Sequence, residues 1–107
     1  RGRSGGGGYR RAGMNLSDAI LRGMERFPMQ ARGNWFDRNS ACAMGCALWA
    51  IGGDAVISNP DSRAAAWLKF ERAYQKFVDS FGEQIAWLND KGIPREDIAG
   101  MLKAIGE

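Results

Sequence analysis

Histidine is absent from the chain, and cysteine occurs only twice among its 107 residues. Without an imidazole group there is no histidine to act as a catalytic base or as a zinc ligand, which excludes most small hydrolases. Two cysteines are too few for the disulfide framework of a small secreted domain. We therefore predict reduced thiols and a cytoplasmic protein.

A long hydrophobic segment is also missing. The longest apolar run, from Ala41 to Ile51, has 11 residues, whereas a membrane-spanning helix needs about 20. No signal-peptide pattern is visible. We expect one domain without membrane association, in which this run forms a buried helix.

The positive charge is unevenly distributed. The chain has a net charge of +3 and a pI near 9.2. Residues 1–13 contain four arginines and no acid, whereas the remaining residues contain 11 basic and 12 acidic side chains. The basic pI therefore comes from the amino-terminal segment and gives no information about the surface of the rest of the chain.

This amino-terminal segment has the composition of a disordered tail. Six of its 13 residues are glycine, and Tyr9 is its one large apolar side chain, so burial cannot offset the entropy of ordering it. The periodic pattern starts at Met14, so the tail is either native or a tag-like addition before the initiator. A native tail would resemble RGG-type RNA-binding segments. The nucleic-acid contacts would then include Arg1, Arg3, Arg10 and Arg11.

Residues 14–107 are predicted to form a single all-α domain, a compact bundle of about five helices around a central apolar helix. The central helix is Ser40 to Ile51, which carries no charge and ends at Gly52 and Gly53. The start signal Asn59-Pro60-Asp61 precedes a long helix. The other predicted helices are Leu16 to Phe27, Pro60 to Phe81, Glu83 to Asn89 and Pro94 to Ile105.

The segment LNDKGIPREDIAGML resembles the approach to a helix-turn-helix, in which a glycine-containing turn precedes the first helix. In this sequence only Gly106 and Glu107 follow Ile105. The recognition helix that would enter the major groove is not among the expected elements. We therefore do not expect this segment to read DNA.

Cys42 and Cys46 lie four residues apart in CAMGC, on one face of the predicted central helix. Two thiolates at this spacing would supply half of the four ligands of a structural zinc site. A metal- or thiol-dependent activity at this pair is one hypothesis. The simpler interpretation is two small buried apolar side chains, and we predict no metal and no cofactor.

The loop after the first helix places Trp35 and Phe36 between Arg32 and Arg38. Exposed aromatic side chains flanked by cations suit a peptide or a stacked base. The alternative is that both aromatic side chains fold back over the core, because their burial is strongly favourable. If one of them stays exposed, this loop is the preferred partner-binding site.

A basic stripe on the third predicted helix, formed by Lys69, Arg72 and Lys76, would be able to face phosphates. Acidic residues stand close to it in the sequence, so an ordinary solvated helix face is the simpler interpretation. Glu96-Asp97 is the one pair of adjacent carboxylates, and its place at a helix start accounts for it. No catalytic motif is present, and we do not expect an enzyme.

Residues 15–105 resemble a loose group of small helical proteins of bacteria and their phages. The resemblance rests on NLSDAI at the start, on CAMGCALWAIG and on the closing WLNDKGIPREDIAGML. It implies a helical fold but no defined activity, substrate or site residue. Our hypothesis is a module that binds another protein or a second copy of itself. The alternatives are nucleic-acid association through the tail and the basic stripe, and a function of the two thiols.

Overall fold

The computed structural model describes residues 14–107, and in this part the protein is mostly helical with one small sheet. The predicted helical class is therefore confirmed in its main feature. The predictions for residues 1–13 lie outside the described residues. The helices are α1 (Leu16–Arg26), α2 (Ala43–Gly52), α3 (Ala55–Ser58), α4 (Pro60–Leu68), α5 (Glu71–Phe81), α6 (Ile85–Asp90) and α7 (Arg95–Ala104). The strands are β1 (Met29–Gln30), β2 (Phe36–Asp37) and β3 (Ser40–Ala41).

The apolar helix α2 lies at the centre of the packing, as its composition predicts. It contacts α1, α3, α4 and α6, and six of its ten residues are buried. The closest approach is to α1, where a Cβ atom on Gly23 would collide with the backbone of Cys46. Glycine at this position therefore allows the two helix backbones to pack closely. Within residues 14–107, no helix is long and apolar enough to cross a membrane.

The start predicted for this helix is wrong by three residues, because Ser40 and Ala41 belong to β3. Cys42 has extended backbone angles and is the N-cap of α2. Its Sγ atom accepts a hydrogen bond of 3.2 Å from the amide of Gly45. The cysteine thiol thus takes the capping role that serine or aspartate usually fills.

The long helix predicted from Pro60 to Phe81 is interrupted at Lys69 and Phe70, which separate α4 from α5. The amides of these two residues bond to the carbonyls of Ala66 and Trp67, three residues back, instead of four. This tight turn ends α4. The predicted start is confirmed, since the side chain of Asn59 accepts hydrogen bonds from two amides of the first turn.

Residues 29–41 contain a small sheet that the sequence did not predict. Its order is β1-β3-β2, with β1 parallel and β2 antiparallel to β3. Met29 pairs with Ser40, and Phe36 pairs with Ala41. Each strand has only two residues, so none of them produces the alternating pattern that identifies a strand. The sheet holds both ends of the loop formed by residues 31–35.

Candidate binding groove

The loop 31–35 is held in place by a hydrogen bond from Asn89, a fully buried residue of α6. The Asn89 amide nitrogen donates a hydrogen bond of 2.8 Å to the carbonyl of Ala31. Its amide oxygen accepts hydrogen bonds from the backbone amide of Ala43, at 3.0 Å, and from the side chain of Gln30, at 3.1 Å. One side chain therefore connects the end of β1, the first turn of α2 and the end of α6.

Further hydrogen bonds fix the tip of the same loop. The Asp90 carboxylate accepts a hydrogen bond of 2.8 Å from the amide of Gly33. The carbonyl of Trp35 accepts one of 3.0 Å from the amide of Cys42. This carbonyl lies so close to Gly45 that a Cβ atom there would collide with it. The loop is thus attached to the start of α2 and to the end of α6.

The two aromatic side chains of this loop have different environments. Phe36 is partly buried and packs on Phe27, with ring centroids 5.3 Å apart. Trp35 stays 42% exposed, and its ring meets Trp67 edge-on at 6.3 Å. Trp67 in turn contacts Tyr74 at 4.9 Å. The structure therefore places Phe36 against the core and leaves Trp35 at the surface, at the end of a row of three aromatic rings.

Two adjoining cavities lie along this row, and we call them together the aromatic groove. They share Trp35, Arg63 and Trp67. The first has a volume of about 390 Å3 and is lined by Gly33, Asn34, Trp35, Phe36, Cys42, Met44, Ile57, Arg63, Trp67, Tyr74, Ala86 and Asp90. The second has a volume of about 540 Å3 and is lined by Trp35, Pro60, Arg63, Ala64, Trp67 and Leu68.

Arg63 supplies the positive charge of the groove. Its Nη1 atom donates hydrogen bonds to the carbonyls of Val56 and Ile57, at 2.9 and 3.1 Å, which hold the half-buried guanidinium in place. Within residues 14–107 ion pairs are formed by Lys76 with Glu107 and by Lys103 with Asp18, and not by Arg63. No sequence pattern points to Arg63, since its surroundings depend on the tertiary contact between α3 and α4.

The Cys42 thiol and the Tyr74 phenol, which line the first cavity, are neutral near pH 7. Burial raises the pKa of the Cys42 thiol and that of the Tyr74 phenol. The Tyr74 oxygen accepts a hydrogen bond from the amide of Ala86 and its hydroxyl donates one to Gln84. Because a neutral thiol is a weak nucleophile, these groups provide a polar floor for binding and no activated nucleophile.

The other predicted site residues lie outside the groove. Arg32 and Arg38 are exposed, and neither lines one of the two cavities. The Arg32 guanidinium packs against Gly92, so closely that a Cβ atom on this glycine would meet its Nη2 atom. The predicted basic stripe is likewise exposed and lines neither cavity. Its residue Lys76 forms the ion pair with Glu107, with 3.4 Å between Nζ and Oε2. The stripe consists of Lys69, Arg72 and Lys76.

Cys46 belongs to a separate buried cluster around Arg95. The Arg95 guanidinium is only 3% exposed and donates to the carbonyls of Phe27 at 2.7 Å, Pro28 at 2.9 Å and Ala41 at 3.1 Å. Burial raises the pKa of the Cys46 thiol to about 11, against the opposing effect of the guanidinium. The two cysteine sulfurs thus have different roles, one capping α2 and one contacting Arg95. Within residues 14–107, no three acidic or cysteine side chains form a group able to hold a metal ion.

No family model, curated protein or solved structure matches this chain. The resemblance to small helical proteins of bacteria and their phages therefore stays a prediction.

Proposed function

We propose that this protein is a binding module that takes up a short segment of a partner protein in the aromatic groove. The main support is that two cavities share Trp35, Arg63 and Trp67. Of these residues, Trp35 is exposed and lies on a fixed loop. Tryptophan and arginine are the side chains that most often dominate the energy of protein interfaces. We propose that the protein acts in the cytoplasm, and that it binds its partner without a cofactor and without catalysing a reaction.

The size and shape of the groove support a peptide segment as the ligand. Each cavity falls within the volume range of small-ligand sites, and the two together extend from Asp90 to Leu68. Leu68 is 67% exposed at the far end of the second cavity. An extended or helical segment would cover this leucine and place side chains in both cavities.

A selection from a phage-displayed library of random 12-residue peptides tests this proposal. We expect the full chain to enrich peptides whose binding is lost in Trp35→Ala. The matched control is Trp87→Ala, because Trp87 is 54% exposed but lines neither cavity. Enrichment of no peptide, or equal loss of binding in both variants, would contradict binding in the groove.

The other two functional hypotheses gain less support. The basic stripe is separate from the groove, and the exposed side chains at the start of α7 are the acids Glu96 and Asp97, which repel phosphate. The thiol hypothesis lacks an ionised sulfur, since burial raises the pKa of both cysteines. Binding of a second copy in place of a partner would appear as a concentration-dependent mass in light scattering of the purified protein.

A further inference from the structure

We infer that the groove selects a partner segment in which an acidic side chain stands beside an apolar or aromatic one. This inference rests on the proposed function and specifies the chemistry of the occupant. The acidic group would pair with Arg63, and the apolar group would fill the second cavity. A partner with a basic residue at this position would be rejected.

The position of Arg63 supports the acidic group. Arg63 lines both cavities, and its Nη1 atom is oriented by the carbonyls of Val56 and Ile57. A guanidinium carries five N–H donors, and within residues 14–107 the donors on Nε and Nη2 form no hydrogen bond, so they are open to a ligand. A carboxylate is the acceptor that best matches this planar fork and compensates its charge. The charge has no carboxylate partner within residues 14–107.

The second cavity supports the apolar group. Apart from Arg63 its lining is apolar or aromatic. Pro60, Ala64 and Leu68 recur every four residues and therefore lie on one face of α4. Alanine at the centre of this face lets a bound side chain approach the helix closely. The flanking rings of Trp35 and Trp67 would enclose that side chain.

Asp90 gives the segment a direction. It is the one acidic residue in the lining of either cavity, and its Oδ1 atom already accepts hydrogen bonds from Gly33 and Asn89. A second carboxylate at this end would be repelled. The segment would therefore present an N–H donor towards Asp90 and its acid towards Arg63.

Two matched probes test the acid requirement: N-acetyl-tryptophan, which carries a carboxylate, and the neutral N-acetyl-tryptophanamide. We expect both to shift the indole N–H signals of Trp35 and Trp67 in two-dimensional NMR of the full chain. The acid should bind more tightly by roughly fivefold at low salt, the value of a partly exposed ion pair. Added salt should reduce this preference and leave binding of the amide unchanged.

Variants of Arg63 test whether this residue causes the tighter binding of the acid. In Arg63→Gln the two probes should bind equally, whereas Arg63→Lys should keep part of the preference because it retains the charge without the fork. Arg72→Gln is the matched control, since Arg72 is exposed outside the groove, and it should keep the full preference. Circular dichroism checks that each variant is folded. The salt series in the unmodified protein does not depend on any variant.

The result that overturns the inference is equal binding of the two probes, a preference that survives in Arg63→Gln, or no shift of either indole signal. If the two probes bind equally and both shift the signals of Trp35 and Trp67, the groove remains a binding site and only the acid requirement is removed. Failure of the proposed function has a different signature, because the peptide selection would then not depend on Trp35.

Discussion

The Nη1 atom of Arg95 lies 3.3 Å from the Sγ atom of Cys46, and this guanidinium has no carboxylate partner within residues 14–107. Its charge is compensated instead by carbonyl oxygens, two of them from Phe27 and Pro28 just beyond the end of α1. The carboxyl end of a helix carries a partial negative charge, which favours a cation there. Arg95 thus fixes α7 to the end of α1 and to the start of α2.

Replacing Arg95 by methionine should destabilise the fold by about 2 to 4 kcal/mol, because buried carbonyls lose their donor while the apolar volume is kept. The measurement is urea unfolding followed by tryptophan fluorescence. Arg72→Met, at an exposed position of α5, is the control and should change the stability by less than about 0.5 kcal/mol. Equal stability of the two variants would show that the guanidinium is not a structural anchor.

Alkaline pH should weaken the fold through Cys46. Its thiol has a pKa of about 11 in the folded protein, against an ordinary value of 9.0. The unfolded chain therefore loses this proton first, and the free energy of unfolding falls as the pH rises from about 9 to about 11. The slope from one such group is at most about 1.4 kcal/mol per pH unit. Below pH 9 the contribution is constant.

Urea unfolding of the unmodified protein and of Cys46→Ala across this pH range isolates the contribution of Cys46. Cys42 and Tyr74 also have raised pKa values and add to the slope in both proteins. We expect a shallower pH dependence in Cys46→Ala. Identical slopes would mean that the Cys46 thiol is accessible to ionisation in the folded state.

Asn89→Ala should loosen the base of the groove and the start of α2 together. The change removes the donor to Ala31 and the acceptor for Ala43, and it leaves these buried backbone groups without a partner, at a cost of about 2 to 3 kcal/mol. Hydrogen exchange of the Ala43 amide should accelerate. Asn34→Ala, at an exposed position in the same loop, serves as the control and should leave that amide protected.

Two glycine substitutions should act in opposite directions. Gly23→Ala should destabilise the protein by about 1 to 3 kcal/mol, because the added methyl group meets the backbone of Cys46. Gly100→Ala on α7 meets open space and should stabilise it by about 0.5 to 1 kcal/mol through helix propensity. Thermal unfolding gives both signs in one experiment. A stabilising Gly23→Ala would contradict the close packing of α1 on α2.

The helices that the sequence predicts well are those with a one-sided apolar pattern. In α1, Leu16, Ala19, Ile20 and Gly23 recur at helical spacing, and all four are buried. The predicted helix end at Phe81 is confirmed, and the next residue, Gly82, has a left-handed backbone. Local signals of this kind act within one or two turns, so neighbouring residues are sufficient to recognise them.

The break between α4 and α5 at Lys69 and Phe70 is not predicted, because no local signal marks it. The aromatic spacing continues through it, because Trp67, Phe70 and Tyr74 are three and four residues apart. No proline or glycine marks the interruption. The turn is recognisable only from its bonds to Ala66 and Trp67, so a periodic pattern alone predicts one continuous helix.

Only some of the residues that line or support the proposed groove are recognisable from the sequence. Trp35 was selected as an aromatic residue between arginines, and the structure places it in the groove. The sequence does not identify Arg63 and Asn89, or Arg95 in the separate cluster around Cys46, because each acts through carbonyls or amides from other elements. For Arg95 and Asn89 those partners are 46 or more residues away in the sequence. Such contacts produce no local pattern.

The attachment of the loop 31–35 also bears on how the proposed binding function could change in evolution. Its anchors are backbone groups of Ala31, Gly33 and Trp35, so they do not require the side chains of Asn34 and Trp35, whereas Gly33 has a positive φ that favours glycine. Exchanging the side chains at Asn34 and Trp35 would change what the groove recognises at little cost to folding. Descendants of one ancestral gene can therefore diverge in partner choice while their cores stay under the same selection.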